Sequence, residues 1–159
     1  MTKTYSSAPV MAIDTAKKYT AVIKTVRGDI TFDLRPDLAP NHVNSFVFLA
    51  KDGFYDGVKF HRVVPGFVAQ AGDPTGTGSG GPGYQLDLEP SDVTFERGVV
   101  GAARTNDPNS AGSQWFITFG QAEHLTGQYT VFATVSDGMD VADCIAQGDA
   151  IIGIEVAES

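Results

Sequence analysis

The segment Phe60-His61-Arg62, followed by Pro65-Gly66-Phe67-Val68-Ala69-Gln70, sets a guanidinium and a primary amide among apolar side chains. A third stretch, Gly112-Ser113-Gln114-Trp115-Phe116, repeats the mixture. Arginine stays charged at any relevant pH and offers a rigid fork of N–H donors, which act most strongly where water is scarce. Period-two alternation puts Arg62 on one face with Phe60 and Val64. An arginine salt-bridged at the surface and one lifted beside an apolar pocket both satisfy that pattern, and alternation alone leaves the two open.

Other chemistries fit less well. Gly76-Thr77-Gly78-Ser79-Gly80-Gly81 matches G-x-G-x-x-G by letter, but that fingerprint must open a helix facing a pyrophosphate, and here Pro82-Gly83 follows at once. No Lys-Ser/Thr pair follows these glycines as a phosphate loop requires, so a turn-rich loop beside a site is expected. The soft metal ligands are His42, His61, His124 and Cys144, and none of their spacings is i, i+4 or C-x-x-C. No metal site is expected. Ser110 and Ser113 sit in a Gly/Asn-rich turn without a strand-Ser-helix elbow. Cys144 falls on the apolar stripe of a short helix and is expected in the core.

The elements that would position these residues follow from periodicity. Tyr19 to Val26 is β-branched and aromatic, and after Arg27-Gly28-Asp29 the run Ile30 to Leu34 alternates, which predicts a hairpin. Pro40 suits a first helical turn, and Val43, Phe46, Val47 and Ala50 form an apolar stripe ending at Asp52-Gly53. Strands are predicted over Lys59–Val64, Phe67–Ala71, Gly98–Ala103, Gln114–Phe119, Tyr129–Val135 and Ile151–Val156. Before the last of these, Asp140 can cap a short helix carrying Val141, Cys144 and Ile145. Eight strands in a small chain close readily into a barrel, because closure removes exposed edges. Residues 1–18 show neither period and are expected to be a mobile or loosely draped leader, with residues 19–159 forming one domain.

Composition agrees. The chain has 159 residues, 42% hydrophobic and 19% charged, enough for one cored domain and unlike a disordered tract. Its 18 glycines and 8 prolines call for many turns and few long helices, so a mainly β fold is expected. The net charge of −8 lies wholly after Arg104, where eight acids meet no lysine or arginine. Such a surface repels nucleic acid and anionic lipid, and no partner of either kind is expected. One cysteine makes no internal disulfide. With no secretory signal and no membrane span in view, a cytoplasmic location is expected.

Three motifs, FHRVVPGFVAQAGDPTGTGSGGPGY, GSQWFIT and HLTGQYTVFATV, in that order and spacing, closely resemble the cyclophilin family of peptidyl-prolyl cis/trans isomerases. The resemblance runs from about Tyr19 to Val156. It implies a closed eight-stranded antiparallel β-barrel capped by two α-helices, with the active groove on its outer surface. It also implies cofactor-independent acceleration of Xaa-Pro rotation, acting on proline-containing peptides and unfolded or folding protein clients, by a chain expected to be a monomer.

By the same resemblance, Arg62 takes the place of the catalytic arginine and Gln70 helps hold both it and the substrate. Phe67, Val68, Phe116 and Leu125 form the proline pocket, and Tyr129 stands at its rim, where some members have histidine. Ala103, Arg104 and Gln114 line the groove for residues before the proline. Three positions depart from the common pattern: Val68 replaces a methionine, Arg104 replaces an asparagine with one extra residue near Thr105-Asn106, and His124 replaces a tryptophan important for cyclosporin binding. Weak cyclosporin binding is therefore expected. Two further classes keep the same pocket or fold, a module that only captures proline segments and a purely structural barrel. Arg62 beside Gln70 favours the enzyme.

Overall fold

The computed structural model describes residues 3–159; Met1 and Thr2, part of the expected leader, lie outside the described residues. The elements, in chain order, are β1 (Tyr19–Thr25), β2 (Gly28–Leu34), α1 (Pro40–Lys51), β3 (Arg62–Val64), β4 (Val68–Ala71), β5 (Val99–Ala102), β6 (Trp115–Thr118), β7 (Val131–Asp137), α2 (Met139–Cys144) and β8 (Ile151–Glu158). A 3-10 turn, Glu123–Leu125, lies between β6 and β7. In the first hairpin alternate residues Ala21, Ile23, Ile30, Phe32 and Leu34 are buried, and Gly28 closes the turn at φ +134°, a conformation other residues rarely adopt. Pro40 opens α1, and the stripe Val43, Phe46, Val47 and Ala50 is buried, joined by His42, Asn44, Ser45 and Leu49. Among the described residues no helix is long and apolar enough to cross a membrane.

The eight strands form one antiparallel sheet in the order β3-β4-β6-β5-β7-β2-β1-β8. The sheet is curled, with β3 and β8 at its ends. The expected barrel is not closed by strand pairing there: an isolated bridge, Lys59↔Ala150, and backbone hydrogen bonds such as Phe60 N to Asp149 O (2.8 Å) and Ile151 N to Val58 O (2.8 Å) span the gap.

Two apolar clusters lie on opposite faces of this wall. The inner one gathers Ile23, Phe32, Phe46, Tyr55, Phe60, Trp115 and Phe132 under α1. The outer one is smaller and gathers Val68, Phe95, Val99, Phe116, Ala122, Leu125 and Val131.

Three local expectations need correction. Phe60 does not share a face with Arg62: the strand begins only at Arg62, the alternation breaks at His61, and Phe60 is fully buried edge-on to Trp115. Asp140 does not cap α2, because Gly138 in a left-handed conformation occupies the N-cap. Cys144 is exposed, since α2 buries Ala142 and the chain buries Ile145 just past the helix end instead.

Residues 3–18 contain no helix or strand, yet they make specific contacts. The Tyr5 ring lies 5.2 Å from that of Phe48, its N–H donates to the Pro82 carbonyl (2.8 Å) and its hydroxyl to Asp52 Oδ2 (2.5 Å). Asn44 Oδ1, buried on α1, accepts the Ala12 N–H (2.9 Å).

Candidate active site

Residues directly opposite in neighbouring strands project to the same face of a sheet. Arg62 is opposite Gln70, Gln70 opposite Phe116, and Phe116 opposite Gly101, so one row across β3, β4, β6 and β5 carries all four to the outer face. Val68 lies two residues from Gln70 and shares it. The residues between them, Ala69, Ile117 and Val100, belong to the inner core.

Gly101 decides how this row packs. A Cβ there would come within 2.7 Å of both the Phe116 and Phe95 rings, so only glycine lets Phe116 lie down over β5. The Phe116 ring then stacks on Phe95 (centroids 5.6 Å apart, 27° between planes) and meets Tyr129 edge-on at 5.8 Å. Phe67 stacks on His124 at 5.9 Å, and the Arg104 guanidinium lies 4.4 Å above the Tyr129 ring.

The result is a cavity of about 340 Å³ lined by Arg62, Phe67, Val68, Gln70, Ala103, Arg104, Phe116, His124, Leu125 and Tyr129. Its floor is apolar and buried, with Val68, Phe116 and Leu125 between 2% and 8% exposed, while Arg62 stands exposed at its edge. The remaining residue singled out from the sequence, Gln114, lines an adjoining cavity of about 790 Å³; Gln70, Ala103 and Arg104 line both.

A line of amides runs between the two cavities. Arg62 Nη1 donates to Gln70 Oε1 (3.4 Å), Gln70 Nε2 donates to Gln114 Oε1 (3.0 Å), and Gln114 Nε2 donates to the carbonyls of Gly78 (3.0 Å) and Gly80 (2.9 Å). Those carbonyls belong to the glycine-rich loop, which Asp73 organises. The buried Asp73 carboxylate accepts the N–H groups of Thr75 (2.8 Å), Thr77 (3.0 Å) and Gly78 (2.5 Å), and the Thr75 hydroxyl (2.7 Å). Burial pushes the Asp73 carboxyl upward, but the hydrogen bonds from Thr75, Gly80 and Gly78 outweigh it and hold the pKa down at about 2. The loop N–H groups that a phosphate would need are therefore occupied by the chain's own carboxylate.

His61, just before Arg62, has both ring nitrogens buried without a hydrogen-bond partner. Desolvation lowers its pKa and the neighbouring Arg62 charge adds to this, against a smaller opposing pull from Asp73 than desolvation exerts. Ser113 Oγ donates to the Gly72 carbonyl (2.7 Å) and Ser110 Oγ to that of Asp107 (2.6 Å), so both hydroxyls brace turns.

Asp73, Phe95 and Gly101 complete the site and were not singled out from the sequence. A glycine inside a strand and an aspartate opening a Thr/Gly run were the available signals, of a close approach and of an Asx-type turn respectively.

Comparison with known proteins shows the family. The family profile described as cyclophilin type peptidyl-prolyl cis-trans isomerase/CLD matches residues 20–154. The chain belongs to the cyclophilin-type peptidyl-prolyl cis-trans isomerases. It is 46% identical over 141 residues to a probable peptidyl-prolyl cis-trans isomerase of Brucella suis, covering 81% of this chain and 72% of that one. It is 43% identical over 148 residues to a peptidyl-prolyl cis-trans isomerase of Helicobacter pylori, covering 91% and 90%. Among solved structures, a cyclophilin type isomerase of Cryptosporidium parvum, determined in the presence of the dipeptide Ala-Pro, superposes with a TM-score of 0.82 at 30% identity, covering 88% of this cyclophilin and 99% of that chain.

Proposed function

We propose that this isomerase accelerates Xaa-Pro rotation by seating the proline ring on Val68, Phe116 and Leu125 and donating a hydrogen bond from Arg62 to the prolyl nitrogen. Rotation must break amide resonance, against a barrier of about 18–20 kcal/mol. In the twisted state the nitrogen becomes pyramidal and regains a lone pair, which a planar ground state does not offer. A donor aimed at that lone pair therefore binds the transition state more tightly than the substrate, which is the condition for rate acceleration.

The observation that carries this reading is the setting of Arg62: a guanidinium at the edge of an apolar cavity, hydrogen-bonded to the Gln70 amide oxygen and to no carboxylate among the described residues. Gln70 keeps the fork oriented without neutralising it. Phe67 and Tyr129 close the sides of the pocket, and Ala103, Arg104 and Gln114 carry the residues that precede the proline. The Ala-Pro dipeptide named for the Cryptosporidium parvum structure supports proline-containing peptides, and by extension folding clients, as the substrate class.

On the same reading His124, an exposed ring stacked on Phe67, gives cyclosporin a poor surface. The Lys59↔Ala150 bridge completes the barrel wall between β3 and β8. Residues 3–18 brace α1 outside the isomerase domain.

The test is cis–trans exchange in an Ala-Pro peptide measured by NMR, with wild type and Arg62→Ala compared at equal concentration. Wild type should accelerate exchange, and Arg62→Ala should lose most of that acceleration while melting like wild type. Activity of a folded Arg62→Ala within about threefold of wild type would remove Arg62 from its role, and peptide binding by wild type without acceleration would favour a capture module.

A further inference from the structure

The chain has five arginines, and they divide cleanly. Arg27 pairs with Asp149 (2.8 Å), Arg35 with Asp37 (2.8 Å) and Arg97 with Asp143 (2.7 Å). Arg62 and Arg104, among the described residues, meet no carboxylate within ion-pair distance, and these two line the cavity over Phe116. Neither that cavity nor the adjoining one is lined by a single Asp or Glu. On a protein of net charge −8, the cavity walls thus carry positive side chains and no acidic one, while the Asp73 carboxylate is turned onto the N–H groups behind the glycine-rich loop.

Arg104 is the member of the pair that the proposed chemistry does not use. Its Nε donates to the Gln128 carbonyl (2.9 Å), its Nη1 to the Thr105 carbonyl (2.8 Å), and its plane rests on Tyr129. These contacts fix the head group while leaving its charge unpaired and its Nη2 without a partner among the described residues. Arg104 lines both cavities and so stands at their junction, where, on the isomerase reading above, the residues preceding the proline would run. The charged neighbours do not compensate it. Asp107, on the following loop, accepts the Asn109 N–H (2.9 Å), and Glu123, beside His124, is exposed; neither lines a cavity.

We infer that Arg104 is a specificity-determining residue that selects substrates carrying a carboxylate side chain on one of the two residues preceding the proline. The inference rests on the isomerase reading above and adds a substrate class to it. A pre-fixed guanidinium loses little side-chain freedom on meeting a carboxylate, so an ion pair there falls at the upper end of the range for partly exposed pairs, about 1 kcal/mol or fivefold. A lysine at the same place would be repelled by a similar amount.

The test measures kcat/KM by NMR exchange for peptides bearing Glu, Gln or Lys at each of the two positions before proline, with wild type, Arg104→Gln, Arg104→Lys and Arg104→Glu, each checked by thermal melting. At low ionic strength wild type should favour Glu over Gln by about fivefold and Glu over Lys by tenfold or more at one of the positions at least, and about 1 M salt should erase most of it. The ratio should collapse toward one in Arg104→Gln, persist in part in Arg104→Lys and invert in Arg104→Glu. Equal rates for all three peptides at both positions in wild type, or a Glu preference unchanged in Arg104→Gln, would overturn the inference while leaving isomerase activity in place. Failure of the wild type to accelerate any peptide would instead overturn the isomerase reading.

Discussion

Trp115 and Phe116 are neighbours on β6, and each anchors an aromatic cluster on one side of the same wall. Around Trp115 the rings of Phe32, Phe46, Tyr55 and Phe60 meet at centroid distances of 5.2–6.5 Å, four-sided and closed under α1. Around Phe116 the floor is as dry, but among the described residues its aromatic partners are Phe95 and Tyr129, Gly101 supplies a bare backbone beneath it, and the ring lines the cavity. Similar residue types thus make a core on one face and a pocket on the other. What differs is what surrounds them: the inner cluster is sealed by a helix, the outer one by a guanidinium, an amide and an imidazole that leave room for a ring. A cavity already packed on three sides needs little reorganisation to admit a ring.

The comparison breaks most visibly on the inner side. Trp115→Ala should cost about 3–5 kcal/mol or prevent folding, because a fully buried aromatic leaves a cavity that a barrel wall cannot collapse to fill. Chemical denaturation checks this. Phe116→Ala should cost less, about 2 kcal/mol, since the space it vacates joins the open cavity and fills with water, yet it should weaken binding of a proline peptide by at least tenfold in calorimetric titration. Equal losses of stability, or unchanged peptide affinity, would erase the distinction between the two faces.

A smaller effect sharpens the polar side of the pocket. The Asp73 carboxyl has a folded pKa of about 2, below its ordinary value of 3.8, so its contribution is complete above about pH 4 and is lost as pH falls through 2. Asp73→Asn should therefore remove about 2 kcal/mol of stability at neutral pH and flatten the acid limb of the stability profile between pH 4 and 2. It should also lower kcat/KM severalfold, because the Gly78 and Gly80 carbonyls that hold Gln114 would shift. Stability profiles of the two proteins that fall in parallel from pH 4 to 2 would show that Asp73 does not organise the loop. Smaller again in its effect on the reaction, His124→Trp should tighten cyclosporin binding about tenfold through added apolar contact while changing catalytic rate little. Inhibition titrations read it directly, and a Trp variant that gains nothing would mean that position 124 does not govern the inhibitor.

Most of this architecture was legible in the residues. Strict alternation in Ile30-Thr31-Phe32-Asp33-Leu34 and the stripe along α1 located the hairpin and the helix, because one-sided burial writes a period into the chain. Phe60 misled because β3 starts three residues later than the expected strand Lys59–Val64, and the backbone break at His61 carries no mark in residue type. Cys144 misled because six residues of α2 are too few for a period to choose between faces. The site was legible through long motifs, whereas Asp73 and Gly101 act through what they permit, a folded loop and a close approach, and neither shows until the partners Thr75, Gly78, Phe95 and Phe116 are in place. Residues 3–18 lack any period, yet Tyr5 and Ala12 have defined partners on α1 and its C-terminal end, contacts made by single residues that no pattern announces.

The central claim is that the outer cluster holds the substrate and Arg62 acts on its transition state. It is tested most directly by separating binding from turnover in Arg62→Ala, with peptide Kd from titration and kcat from NMR exchange at saturating peptide. A donor that acts only on the pyramidal nitrogen should leave Kd within about threefold of wild type while kcat falls about 100-fold, close to 3 kcal/mol of transition-state stabilisation. A Kd that weakens in proportion to the lost activity, with kcat at saturation unchanged, would make Arg62 a binding residue and contradict the claim.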